Sequence, residues 1–182
     1  MKLENTLKMF VKSFSGNVMG IGIESQKITE ALQKQEQISN CLLLDCYDTI
    51  GMQDTKKRGR NKKIPLKKLR KKVGKKKMDY ILCHTNSIDP YWRYFIRDSV
   101  YMTSKEIIYY GKEEECSLEL EEFIKRYKRY KKIEIETEKE GEYQIIFIHL
   151  NGAKNHRILD IFYFIGDSLY QAIQLFGDYL VQ

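Results

Sequence analysis

No apolar run in this chain approaches the length that spans a bilayer, and its first residues lack the apolar stretch of a secretion signal. These two absences predict a soluble protein of the cytoplasm. Paired cysteines are also missing. Cys41, Cys46, Cys83 and Cys116 form no Cys-x-x-Cys, and no histidine stands at zinc-finger spacing from them, so no bound metal is expected. Three of the four lie in apolar runs, where cysteine acts as a small hydrophobe, and reduced thiols are the expectation. One further absence is local. Residues 56–77 hold 14 Lys or Arg and not one Asp or Glu.

That segment changes the meaning of the net charge of +7. Of the 32 bases in the chain 14 lie there, so the remainder carries 18 bases against 25 acids and is −7. The protein is an acidic body with one basic excursion, placed at residues 55–78. Clustered lysine and arginine attract phosphate backbones through counterion release, without regard to base sequence. Lys62, Lys63, Lys67, Lys68, Arg70, Lys71 and Lys72 are the candidate nucleic-acid contacts, with RNA or another polyanion as partner. An anionic protein or membrane surface would suit the same charges, and a solvated loop is the plain alternative. The segment has almost no aromatic residues, so it would grip phosphates rather than read bases.

The body is organised around Gly16 to Asp48. A short apolar strand, Asn17 to Ile23, contains Gly20 and Gly22, and a helix from Gln26 follows behind Ser25 as N-cap. A second apolar strand, Cys41 to Cys46, then runs into Asp45 and Asp48. Its lack of alternation predicts cover on both faces, as in a parallel sheet. A nucleotide-type ligand can use each part. Glycines let backbone approach it, the helix start offers unpaired N–H groups, and Asp45 or Asp48 can accept from a ribose diol.

Before and after this unit the same periodicities recur. Leu3, Leu7, Phe10, Val11 and Phe14 predict an amphipathic first helix over residues 2–14. Pro65 can open a short basic helix that reaches Val73 and stops at Gly74. Tyr80 to Cys83 read as a third strand leading into His84, and Asp89-Pro90 open a helix with Tyr91, Trp92, Phe95 and Ile96. Ile107 to Tyr110 are a fourth strand ending at Gly111, followed by a helix with an acidic start and a basic end over residues 113–129. Ile133 to Leu150 alternate about Gly141 as an antiparallel hairpin. The apolar tail, residues 157–182, places Leu169, Tyr170, Ile173, Phe176, Tyr179 and Leu180 at helical spacing, as core or as a homodimer contact.

Alternating strands and helices predict a single α/β domain over residues 1–182. It is Rossmann-like, a mainly parallel sheet with helices on both faces and a C-terminal antiparallel hairpin. In this order, over roughly residues 5–150, the chain resembles the class I S-adenosylmethionine-dependent methyltransferases, whose sheet closes with a reversed last strand. The resemblance implies S-adenosyl-L-methionine as cofactor. Gly20-Ile-Gly22 stand at the cofactor turn, and Asp45 or Asp48 at the ribose-binding acid. Asn86 to Tyr91 follow the strand that faces the reactive methyl, and Asp89-Pro90-Tyr91-Trp92 resembles the Asn/Asp-Pro-Pro-Tyr/Phe motif of amine methylation. Asn86, Asp89 and Tyr91 are thereby the candidate catalytic residues, with His84 beside the pocket as a base or a plain strand-end histidine. Three features depart from the family. Neither Asn17 nor Val18 supplies the usual acid before the glycines, Glu24 occupies the third glycine position, and no good third strand lies between Asp48 and Asp79. The alternative is therefore a catalytically inactive Rossmann-like scaffold for nucleic-acid binding or oligomeric interaction.

Overall fold

Leu7, Val11 and Phe14 recur at intervals of three and four, and all three are buried, so helix α1 (Lys2–Ser13) lies along the sheet by one stripe. In this computed structural model the described residues are 2–44, 73–75, 77–88, 92–114 and 133–150. The basic residues 56–72, Asp45, Asp48, Asp89 and Tyr91, the expected helix over 113–129 and the tail over 157–182 lie outside them.

The strands are β1 (Gly16–Ile21), β2 (Ile38–Leu44), β3 (Met78–His84), β4 (Thr103–Lys112), β5 (Glu134–Glu140) and β6 (Tyr143–His149). They form a six-stranded sheet in the order β2-β1-β3-β4-β6-β5. The β1–β2, β1–β3 and β3–β4 pairs are parallel, whereas β6 runs antiparallel to both β4 and β5. The expected architecture is present: a mainly parallel α/β sheet closed by an antiparallel hairpin. Gly141, with φ +66°, sits in the two-residue connection of that hairpin.

Alternation along the central strands divides the core. Val18, Leu82, Ile108 and Phe147 face α1 and helix α2 (Gln26–Lys34). Met19, Ile81, Ile107 and Ile146 share the other core with Phe95, Ile96 and Val100 of helix α3 (Trp92–Met102). Helices therefore cover both faces. The one buried hydroxyl pair here, Ser99 Oγ and the Tyr109 hydroxyl, is 2.8 Å apart, which gives a polar group in an apolar layer its partner.

At the N-terminal ends of the parallel strands, Asp79 ties three of them together. Its Oδ2 accepts the Asn17 amide at 2.9 Å, and its Oδ1 accepts Ser104 Oγ at 3.0 Å. Gly16 makes room for this carboxylate, since a Cβ there would lie 2.2 Å from Oδ2.

Several boundaries differ from expectation. β1 ends at Ile21 rather than Ile23, because Gly22 turns to φ +64° and its N–H donates to the Leu44 carbonyl at 2.8 Å. Gly20 consequently lies inside the strand. β4 is much longer than Ile107 to Tyr110. Its polar start pairs Met78 with Thr103, and Gly111 is paired with Gln144, so it continues the strand instead of ending it. Among the described residues β2 pairs only with β1, and Cys41 to Leu44 are half-buried rather than covered on both faces.

Candidate functional site

The chain moves outward from β1 to β2 and returns to the other side of β1 with β3. That reversal leaves a crevice beyond the carboxyl ends of β1 and β3, the usual ligand position in open parallel sheets. A pocket of about 500 Å³ lies there, large enough for a small-molecule ligand. Gly22 at the end of β1, His84 at the end of β3, Tyr110 near the end of β4 and Tyr143 at the start of β6 line it. Leu3, Glu4 and Leu7 of α1 and the segment from Glu24 to Ile28 complete the wall.

The start of α2 is held in two ways. Ser25 is the N-cap, and its Oγ accepts the Ile28 amide at 3.4 Å. The same hydroxyl donates to Glu4 Oε1 at 2.6 Å, while Lys27 Nζ donates to Glu4 Oε2 at 3.1 Å. A carboxylate from α1 thus sits at the positive end of α2, where anions are favoured. The Ser25 hydrogen bond and then the Lys27 ammonium hold the Glu4 carboxyl below the usual carboxylate range.

Tyr110 is 7% exposed, and its ring lies 5.1 Å from that of His84, tilted by 41°. Burial first, then Cys83 and Glu24, push its phenol well above the ordinary tyrosine value. It stays a neutral hydroxyl. Cys83, wholly buried behind it, is raised well above the usual thiol range by burial and is unsuited to act as a nucleophile.

Of the sequence candidates, Gly22 and His84 come together in this pocket. Gly20 faces α2 instead, where an added Cβ would lie 2.7 Å from Leu43 Cδ2 and 3.1 Å from Ile23 Cγ1. At Gly22 the side-chain space is taken by Ser87, whose Oγ would stand 1.6 Å from a Cβ. Asn86 lies in the short 3-10 turn Thr85–Ile88 and is exposed, outside the pocket lining. Sequence reasoning did not single out Glu4, Ser25, Tyr110 or Tyr143 as site residues. The available signal was positional: Tyr110 ends an apolar run at the carboxyl end of a parallel strand, where ligands bind.

Among the described residues no three His, Cys, Asp or Glu gather to hold a metal ion, and no helix is long and apolar enough to cross a membrane. No protein-family model and no curated protein matches the sequence. Solved structures do match in fold. One is a protein described as a type 11 methyltransferase from Sulfolobus solfataricus, with TM-score 0.53, 13% identity and coverage of 86% of this chain and 96% of that one. Another is the release factor-specific protein-(glutamine-N5) methyltransferase of Alicyclobacillus acidocaldarius, with TM-score 0.51, 11% identity and coverage of 81% and 88%. Strand order, the reversed hairpin and these neighbours agree. The chain has the Rossmann-like fold of the class I methyltransferases.

Proposed function

We propose that the protein is a methyltransferase that uses S-adenosyl-L-methionine, held in the pocket beyond β1, β3 and β4. The observation that supports this most is a cavity of about 500 Å³ at the switch point of a sheet in class I order. When bound, the cofactor supplies a methyl group on a sulfonium that is already an activated leaving group. The chain's work is then to align an acceptor and exclude water. The residues present suit such a ligand. His84, Tyr110 and Tyr143 offer ring faces, Gly22 leaves the β1–α2 turn without a side chain, and carboxylates stand at the rim. In this reading Asp45 or Asp48 holds the ribose diol and Gly20 keeps α2 close to β1. Asn86, Asp89 and Tyr91 hold the acceptor, and His84 takes its proton. Residues 56–77 would hold RNA or another polyanion beside the site, residues 157–182 would join two copies, and the cytoplasm would be the compartment.

One observation favours the second reading, a non-catalytic Rossmann-like scaffold for nucleic acid or for oligomeric interaction. The Gly22 N–H is already bonded to Leu44, and the start of α2 is already covered by Glu4. Calorimetric titration with S-adenosylmethionine, and separately with S-adenosylhomocysteine, tests the two. The methyltransferase reading expects binding at about micromolar Kd. Gln26→Trp, a bulky change at an exposed position on the rim, should weaken that binding about tenfold or more with an unchanged melting temperature. No heat from either compound with well-folded protein would move the reading to the scaffold.

A further inference from the structure

The pocket has a chemical bias that its position in the fold does not require. Glu24 stands on its rim, exposed, and makes no ion pair among the described residues. Lys27, the lysine of the lining, has its ammonium 3.1 Å from Glu4. With those two charges matched, the rim is left with the negative charge of Glu24.

Deeper in the pocket stand the rings of His84, Tyr110 and Tyr143. Tyr110 is more than nine-tenths buried, yet its hydroxyl makes no hydrogen bond among the described residues. A buried hydroxyl left without a protein partner is costly unless a ligand or water serves it. Ring faces attract cations, and a carboxylate at the mouth adds to that attraction. The same carboxylate repels phosphate, and Glu4 already occupies the helix start that would otherwise welcome an anion.

We propose that this pocket recognises an aliphatic ammonium group, with Glu24 as the specificity-determining carboxylate, Tyr110 and Tyr143 as the ring walls and the Tyr110 hydroxyl as a hydrogen-bond partner. Resting on the methyltransferase reading, the ammonium is assigned to the methyl acceptor rather than to the cofactor. The acceptor would then be a primary aliphatic amine, and a phosphate-bearing chain would be gripped elsewhere, on the basic segment.

The full chain, with its aromatic side chains carbon-labelled, is titrated with n-butylammonium, n-butanol and butyrate while the Tyr110, Tyr143 and His84 ring resonances are followed. The ammonium should shift the Tyr110 and Tyr143 rings saturably and bind more tightly than either isostere. Glu24→Gln, at an exposed position, should leave other resonances in place and weaken the ammonium about fivefold, the upper range for a partly exposed ion pair. Equal or tighter binding of n-butanol or butyrate would overturn the proposal, as would an unchanged affinity in Glu24→Gln. Repeating the titration at saturating S-adenosylhomocysteine separates the two sources of ammonium. Persistence of the shift upholds the acceptor assignment, and competition gives the subsite to the cofactor's own amino group and overturns that assignment. If S-adenosylhomocysteine does not bind at all, the methyltransferase reading fails and takes the acceptor with it. The comparison among the three butyl compounds would still decide whether the pocket takes ammonium.

Discussion

The two ends of the parallel strands treat their polar groups in opposite ways. At the amino ends, Asp79 has both oxygens bonded, to the Asn17 amide and to Ser104, with Lys105 at 3.7 Å. Nearby His149 Nδ1 lies 2.8 Å from Glu106 across the β4–β6 pair. At the carboxyl ends, the Tyr110 hydroxyl and the Glu24 carboxylate face a cavity with no partner among the described residues. Partnered groups at one end hold the strands in register. Unpartnered ones at the other end are what a binding site requires. Stability and binding are therefore separable by position.

The largest expected effect comes from Gly22→Ala at the carboxyl end. A Cβ there would meet Ser87 Oγ at 1.6 Å, at a φ of +64° that side chains rarely adopt. We expect a loss of about 3 kcal/mol from strain and clash together. Combining it with Ser87→Gly should recover all but the backbone strain, about 1 kcal/mol, because the two positions are in contact. Denaturant melts of the two single variants and the double variant measure this coupling. Additive losses would mean that Ser87 does not determine the choice of glycine.

At the other end, Asp79→Ala should cost about 2 kcal/mol through two lost hydrogen bonds to a charged group. For a chain of this size that lowers the melting temperature by roughly 4 to 8 °C. Affinity for S-adenosylhomocysteine or for n-butylammonium should not change. A parallel fall in affinity would show that the two ends are coupled, and the division drawn above would be lost.

The smallest effect concerns pH, where the two ends have opposite signs. Glu4 is held below its ordinary value of 4.5, so its contribution is present above that pH and is lost as pH falls through the lowered folded value. Glu106 is raised above 4.5 by burial, with His149 opposing and Glu136 reinforcing the rise. The folded state therefore holds that proton more tightly than the unfolded chain does. Its contribution falls as pH rises from about 4.5 through the raised value. Thermal melts across this range should show Glu4→Gln losing the acid-side decline and Glu106→Gln losing part of the neutral-side one. The same change of slope in both variants would contradict the assignment.

Much of the fold was legible because it is carried by local pattern. Leu7, Val11 and Phe14 announced α1, Ser25 announced the start of α2, and alternation about Gly141 announced the hairpin. What was hidden depended on neighbours distant in sequence. Ser104, Lys105 and Glu106 look like loop, yet they extend β4 because β3 and β6 pair with that strand. Gly20 looked like a turn glycine until Leu43 was found filling the space beside it. The pocket was only partly visible. Gly22 and His84 could be placed at strand ends, but Glu4 meets Ser25 across 21 residues, and no periodicity reports such a meeting. Asp45, Asp48, Asp89 and Tyr91 lie outside the described residues, so their part in the site rests on the sequence.

The outer strand β5 carries a further consequence for the company the molecule keeps. Along Glu134–Glu140, Glu134, Glu136, Glu138 and Glu140 recur at every second residue and project to one side. β5 pairs only with β6 among the described residues, so this row stands at an open margin of the sheet. Two copies meeting there would oppose carboxylates to carboxylates, and a neutral strand would find little but solvated charge. The molecule is thereby guarded against lengthening its own sheet into a fibre, whatever else its surfaces are free to join.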